Sequence, residues 1–379
     1  MATHSENNSL SSQSFVGGTT KKGGKSINED YKVSWKLQVN QPDARHVIAT
    51  GVFDGHGGYG GMLASKHCGD MLIAFLEANK EVCPLWSDEE WTSHLQKFFP
   101  DMHNSFRDEL IKPSQYSYEQ KLADDKGVVR TVCGDPVHGG TTVTIIVVLI
   151  DMNGKRTVIS ANVGDSTALL ISPNGYKFLT MDHSPDEETE WKRINDLDEL
   201  LTKLLCVYDK TNIYKKFLCP LIFDANGVKN PIYVTNPWGN GLHPTNVRYE
   251  PAVYAVTPSN VQRDITCIAM LRSIGDFYAH QFGLTCEATI TVNKLDDGDF
   301  IIANGSDGVW DNWKWEEFAA ALTSTYQEKA TGKTVDDSLL EDVAESMVAR
   351  SYEIAVKNFG AKHVDDISLV ITKLPTMDD

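Results

Sequence analysis

The segment at 46–58 constrains the chain most. Residues 46–54 carry Val47, Ile48, Val52 and Phe53, apolar at odd and even positions alike. A strand that is apolar on both faces has to lie between layers. It runs without a spacer into Asp54-Gly55-His56-Gly57-Gly58. If the strand continues, alternation sets Asp54 and His56 on one side, so a carboxylate and an imidazole share a site. The glycines flanking His56 permit close backbone approach, and the Gly55 carbonyl could join the ligands of a hard cation. The plain alternative is a tight turn with solvent-facing side chains.

The same device recurs. Residues 301–311, Ile-Ile-Ala-Asn-Gly-Ser-Asp-Gly-Val-Trp-Asp, again set an aspartate, Asp307, just past an apolar strand. Asp365 and Asp366 stand at the start of another, 367–372. Parity puts Asp365 on the face of Ile367, Leu369 and Ile371, and Asp366 with Ser368 and Val370; the longer apolar run favours Asp365 as the inward one. Asn28-Glu29-Asp30 opens a first strand at 31–39, and Asn162-Val163-Gly164-Asp165 closes one at 156–162. Each acid alone fits a strand end or turn. Brought together, they would repel strongly in a low-dielectric site unless a divalent ion offset them. Oxygen-only ligands indicate Mg2+ or Mn2+ rather than zinc.

Around these segments the pattern predicts helices at 60–80, 88–110, 186–205, 313–326 and 338–358, with further strands at 141–150, 166–171 and 299–304. The acidic, polar stretch 112–135 reads as a linker. Runs of strands and runs of helices without regular alternation argue for an α+β layered fold. Residues 1–16 read as a disordered tail, and 17–379 as a single domain. Between about 206 and 262 Pro, Asn and Gly break the periodicity, as in an inserted surface lobe.

The net charge of −17 disfavours nucleic acid and anionic membrane as partners. No stretch is long and apolar enough for a membrane span, and no export or lipid signal is visible. Seven scattered cysteines without a CxxC pair suggest neither a disulfide framework nor a zinc site, so a reducing compartment is expected. Gly24-Lys25-Ser26 is not a P-loop, because the required upstream position holds Thr19 and no apolar strand precedes it.

In their order along 24–370 these motifs resemble the metal-dependent serine/threonine protein phosphatases of the 2C type. The resemblance is carried by Asn28-Glu29-Asp30, Asp54-Gly55-His56-Gly57-Gly58, Gly139-Gly140-Thr141-Thr142, Asn162-Val163-Gly164-Asp165-Ser166, Asp182-His183-Ser184-Pro185, Arg272-Ser273-Ile274-Gly275-Asp276, Ser306-Asp307-Gly308-Val309-Trp310-Asp311 and Asp365. It implies a four-layer α-β-β-α sandwich, two packed antiparallel sheets flanked by helices, with two Mg2+ or Mn2+ ions at one rim. Asp54 would bridge the ions and the Gly55 carbonyl would hold one of them. Asp307 and Asp365 would hold the other, with Glu29 and Asp30 in or just behind the ligand sphere. Asp165, Asp307 and Asp311 resemble a weaker third site. A metal-bridging hydroxide would attack phosphoserine or phosphothreonine of a phosphoprotein, and His56 would protonate the leaving oxygen. The implied protein is a cytoplasmic or nuclear monomer, and the lobe is a flap, with Tyr233, Trp238 and His243, that governs which phosphoprotein docks.

Three positions depart from the pattern. The family usually has an arginine four residues before its first glutamate, gripping the substrate phosphate, where this chain has Lys25. Lysine keeps the charge but loses the bidentate fork, a loss that Lys21 or Lys22 could help to cover. Asp366 replaces an asparagine and Thr167 an arginine. A catalytically silent relative that binds partners through the same fold is the rival reading, favoured faintly by Lys25 and opposed by Asp54, Gly55, His56, Asp307 and Asp365. Trp310, Trp313 and Trp315 read as packing residues, and His138, His183 and His363 as structural or exposed.

Overall fold

Strands apolar on both faces need cover on both, and here two sheets cover each other while helices cover their outer sides. The computed structural model describes residues 14–39, 41–112, 121–124, 127–198, 202–208, 221–230, 246–258, 265–374 and 376. Its elements are β1 (Phe15–Lys21), β2 (Tyr31–Leu37), β3 (His46–Phe53), β4 (Gly55–His56), α1 (Tyr59–Asn79), α2 (Asp88–Ile111), β5 (Lys121–Ala123), β6 (Val129–Thr131), β7 (Gly140–Thr141), β8 (Val143–Ile150), β9 (Arg156–Val163), β10 (Thr167–Ser172) and β11 (Gly175–Phe178). There follow α3 (Glu188–Asn195), β12 (Leu205–Tyr208), β13 (Val253–Val256), β14 (Cys267–Ile268), β15 (Ile274–Gly275), α4 (Phe277–His280), β16 (Thr289–Leu295), β17 (Phe300–Gly305), α5 (Asp307–Trp310), α6 (Trp315–Ala330), α7 (Asp337–Phe359) and β18 (Ile367–Leu374).

One sheet runs β1-β18-β17-β10-β11 and the other β16-β9-β8-β3-β2, with antiparallel neighbours throughout. Side-chain alternation sorts the apolar residues into three layers. Ile48, Val52, Ile146, Val148 and Val158 meet Val16, Ala168, Ile302 and Val370 between the sheets. Val47, Ala49, Phe53, Ile145 and Val147 face out onto Leu72 and Leu76 of α1 and Trp91, Leu95 and Phe99 of α2. On the other side Leu169, Ala303, Ile367, Leu369 and Ile371 pack on Phe318 and Leu322 of α6 and Leu340, Val343 and Met347 of α7. This is the expected α-β-β-α order. Local signals agree with it: Ser87 and Glu90 close a capping box at α2, and the Asp336 side chain caps α7.

Three expectations need correction. Residues 15 and 16, assigned to the tail, begin β1, with Val16 buried between the sheets. Gly17 and Gly18 hide this strand from any apolar alternation, and Gly17 has no room for a side chain, since a Cβ there would lie 2.1 Å from the Glu341 amide nitrogen of α7. The helix expected at 186–205 is only α3; Leu204 lies in extended chain bonded to the Phe282 carbonyl, leading into β12. Within the stretch read as a linker, β5 and β6 form a hairpin. Of the lobe expected at about 206–262, the described parts give β13 and most of β12, which join β14 in a small sheet. Cys206, Tyr208, Ile222, Phe223 and Ala255 there share an apolar cluster with Ile194 of α3 and Ala279 of α4. Tyr233, Trp238, His243 and residues 1–13 lie outside the described residues.

Candidate active site

The strand ends decide where the acids go. β3 stops at Phe53, and Asp54 is held by its backbone: its carbonyl accepts from Thr142 N at 2.9 Å and Thr141 Oγ1 at 3.0 Å, while its N–H donates to Thr142 Oγ1. The threonines of the Gly-Gly-Thr-Thr motif thus fix the aspartate. Gly55 is obligatory, because a Cβ would come within 2.4 Å of the Glu29 carbonyl and 2.6 Å of that of Gly61.

From the other sheet, Asp307 follows β17 as the first residue of α5. Its carboxyl feels the charge of Asp365 and lies close to that of Asp54. Asp54 in turn feels Asp30, Asp307, Asp365 and Asp165, and Asp311 feels Asp307, Asp165 and Asp365. Asp30, Asp54, Asp165, Asp307, Asp311 and Asp365 therefore lie within electrostatic reach of one another. Burial, reinforced by these like charges, raises Asp54 and Asp311 well above the usual carboxylate range. Burial likewise lifts Asp30 to about 7, Asp165 to about 8 and Asp307 to about 6.

Neighbouring Asp365 and Asp366 have different tasks. Parity favours Asp365 as the inward acid, but the face of Val370 is the one between the sheets, and Asp366 is the buried one, accepting from Gly23 N at 2.7 Å and Glu29 N at 2.8 Å. It anchors backbone, using one carboxylate oxygen for each amide. Asp365 is partly exposed and its Oδ1 lies 2.6 Å from Lys25 Nζ, which also stands 3.1 Å from Glu29 Oε2. Lys25, expected on the substrate phosphate, is here paired with carboxylates. Lys22 Nζ donates to the carbonyls of Lys25 and Ser26, and Lys21 lies over the Tyr352 ring.

Among the described residues, no group of three or more His, Cys, Asp and Glu side chains forms an ion site as placed. The donor set still suits hard cations, because Glu29 Oε1, Asp30 Oδ1, Asp165 Oδ1 and Asp307 Oδ1 are buried with no hydrogen-bond partner. Four orphaned carboxylate oxygens beside mutually repelling neighbours are a cost that a divalent ion removes.

His56 carries a partner that sequence reasoning quoted without a role. Its Nε2 lies 2.6 Å from Asp276 Oδ2, which also accepts from Ser273 Oγ at 2.7 Å. Asp276 starts α4 at φ 46, a left-handed conformation that Asp tolerates better than most residues. Burial opposes charge on both groups, yet each holds the other ionised: His56 is raised and Asp276 lowered. The aspartate at the end of Arg-Ser-Ile-Gly-Asp was the available signal, but 220 residues separate the pair. His183 is buried between Gly164 and Thr289, while His138 and His363 are exposed. Trp310 and Trp313 are buried in the core over α6, donating to Gly305 O and Ser351 Oγ, and Trp315 packs on Trp310.

Comparison with known proteins follows the same lines. A family model described as Protein phosphatase 2C matches residues 16–207. Probable protein phosphatase 2C 6 of Arabidopsis thaliana is 25% identical over 346 residues, covering 84% of this chain and 58% of that protein. Probable protein phosphatase 2C 65 of the same plant is 24% identical over 368 residues, covering 96% and 77%. The chain thus spans between 58% and 77% of the length of these relatives. The crystal structure of serine-threonine phosphatase 2C from Toxoplasma gondii shares the fold, with TM-score 0.54 and 17% identity over 94% of each chain. With the matched model extending from β1 to β12 and the acidic rim assembled from both sheets, the chain belongs to the protein phosphatase 2C family.

Proposed function

We propose that the chain hydrolyses phosphoserine and phosphothreonine in phosphoproteins, with two divalent ions, Mg2+ or Mn2+, at the acidic rim. The observation that carries this reading is the meeting of orphaned carboxylate oxygens from both sheets beside a paired histidine. Asp54, the Gly55 carbonyl, Asp307 and Asp365 would hold the pair of ions, supported by Glu29 and Asp30, and Asp165, Asp307 and Asp311 a third. Such ions supply charge compensation for phosphate and make water nucleophilic near neutral pH, as hydroxide. The protein's own part is positional. Thr141 and Thr142 keep Asp54 in place, Asp366 keeps Glu29 in place, and Asp276 orients His56 to give a proton to the departing seryl or threonyl oxygen.

Cysteine chemistry has little support as the alternative. Burial pushes the Cys83 and Cys286 thiols up to about 11 and Cys206 to about 12, which leaves them protonated and poor nucleophiles. The reading includes a single domain with an inserted flap at about 206–262 that selects among phosphoproteins, in a cytoplasmic or nuclear monomer. Among the described residues no helix is long and apolar enough to cross a membrane. Purified chain is expected to hydrolyse p-nitrophenyl phosphate and a phosphothreonine peptide with Mn2+ or Mg2+, and EDTA to abolish both activities. No turnover with either ion would make the fold a protein-binding module instead.

A further inference from the structure

We infer that Lys25 is a resident counter-cation of the acidic rim, competing with divalent ions for Glu29 and Asp365. The inference rests on reading that rim as the metal site. Its ammonium stands 2.6 Å from Asp365 Oδ1, 3.1 Å from Glu29 Oε2 and 4.0 Å from Asp366 Oδ2. Two of these three carboxylates are buried, so their charge is little screened by water.

The backbone is built to deliver this ammonium. Gly23 N donates to Asp366 Oδ1 and Gly24 N to the Val364 carbonyl at 2.8 Å. A Cβ on Gly23 would lie 2.3 Å from the carbonyls of Val364 and Asp365, and one on Gly24 2.6 Å from that of Lys362. The loop is therefore pressed flat against the segment that leads into β18, with Lys22 Nζ tying down its carbonyls. The Lys25 side chain itself is 34% exposed, so it is reachable from solvent. A planar guanidinium would favour a bidentate grip on one phosphate or carboxylate, whereas the compact ammonium sits between two carboxylates as a point charge.

A cation on the ligands of another cation lowers its affinity, and reciprocally the ion evicts the ammonium. The ion thus frees Lys25 to meet a substrate phosphate, which orders the two events.

The test is calorimetric titration of Mn2+ into chelator-stripped full chain, as wild type, Lys25→Met, Lys25→Gln and Asp54→Asn, with thermal unfolding of each with and without Mn2+. Both Lys25 variants are expected to bind Mn2+ about tenfold more tightly. They should also melt earlier in EDTA and gain more on adding Mn2+, because their rim has no cation until the metal arrives. Mn2+ affinity equal to or weaker than wild type in whichever Lys25 variant folds overturns the inference, provided Asp54→Asn lowers binding. If Asp54→Asn binds Mn2+ as wild type does, the metal reading of the rim has failed and the inference falls with it.

Discussion

Glu190 and Asp54 are both buried carboxylates, and their surroundings push them opposite ways. Glu190 accepts from Arg272 Nε at 3.0 Å and Nη2 at 2.5 Å, and from Arg193 Nε at 3.1 Å and Nη2 at 2.9 Å. The arginines use other N–H groups on the carbonyls of Leu271, Gly283 and Glu287. Burial acts to raise Glu190, but the two guanidiniums hold it below its ordinary range. At the rim, acids face acids, and burial with like charge raises them. A buried acid with its own cations is a structural joint, here one that braces the segment leading to Asp276. A cluster whose cations are too few is poised to take them from solution.

The widest separation should come from neutralising one acid in each region. Asp54→Asn is expected to cut kcat by orders of magnitude while raising the melting temperature in EDTA, since it removes repulsion. Glu190→Gln should destabilise by about 3–5 kcal/mol, because it strips two arginines of their partner, yet leave Mn2+ affinity intact. Urea unfolding and Mn2+ titration read both; a stability loss in Asp54→Asn or normal stability in Glu190→Gln breaks the contrast.

Next in size is Asp276→Asn, which can keep the left-handed backbone. About a hundredfold loss is expected on a phosphothreonine peptide, and a much smaller one on p-nitrophenyl phosphate, whose leaving group needs no proton. Equal losses on the two substrates would remove His56 from proton delivery.

The smallest effect is pH dependence without metal. Asp165, Asp30 and Asp307 have folded values of about 8, 7 and 6 against an ordinary 3.8. A raised acid contributes stability that is full below its unfolded value and is lost as pH climbs through the folded one. His183 and His280, held by burial at about 3 and 4 against 6.5, act oppositely, costing stability as pH drops below 6.5. In EDTA the melting temperature should therefore fall between pH 6.5 and 8, and saturating Mn2+ should flatten the slope. A rising melting temperature in EDTA over that window would contradict the raised carboxylates.

Much of this was legible from residue order. Strands apolar at every position dictate cover on both sides, and the Asp-Gly steps at their ends recur too regularly for isolated turns. That singled out Asp54 and Asp307 without coordinates, whereas parity favours Asp365 as the inward acid and the structure buries Asp366 instead. Strands with weak alternation were missed: β1 is marked by two glycines, and β11 and β16 lie at sheet edges, where solvent relaxes the pattern.

Sequence by itself determined the α+β class and which strands need cover on both faces, because period-two and helical apolar spacing are local consequences of backbone geometry; the four-layer order came from the resemblance. It also determined the kind of chemistry, because oxygen donors and an imidazole are side-chain identities. Tertiary structure alone decided partnership. Which of Asp365 and Asp366 meets a cation, that Asp276 holds His56, and that Lys25 rests on acids depend on groups up to 341 residues apart in the chain. Electrostatic and hydrogen-bonding forces act over ångströms of space, and strand pairing, not chain spacing, sets those distances.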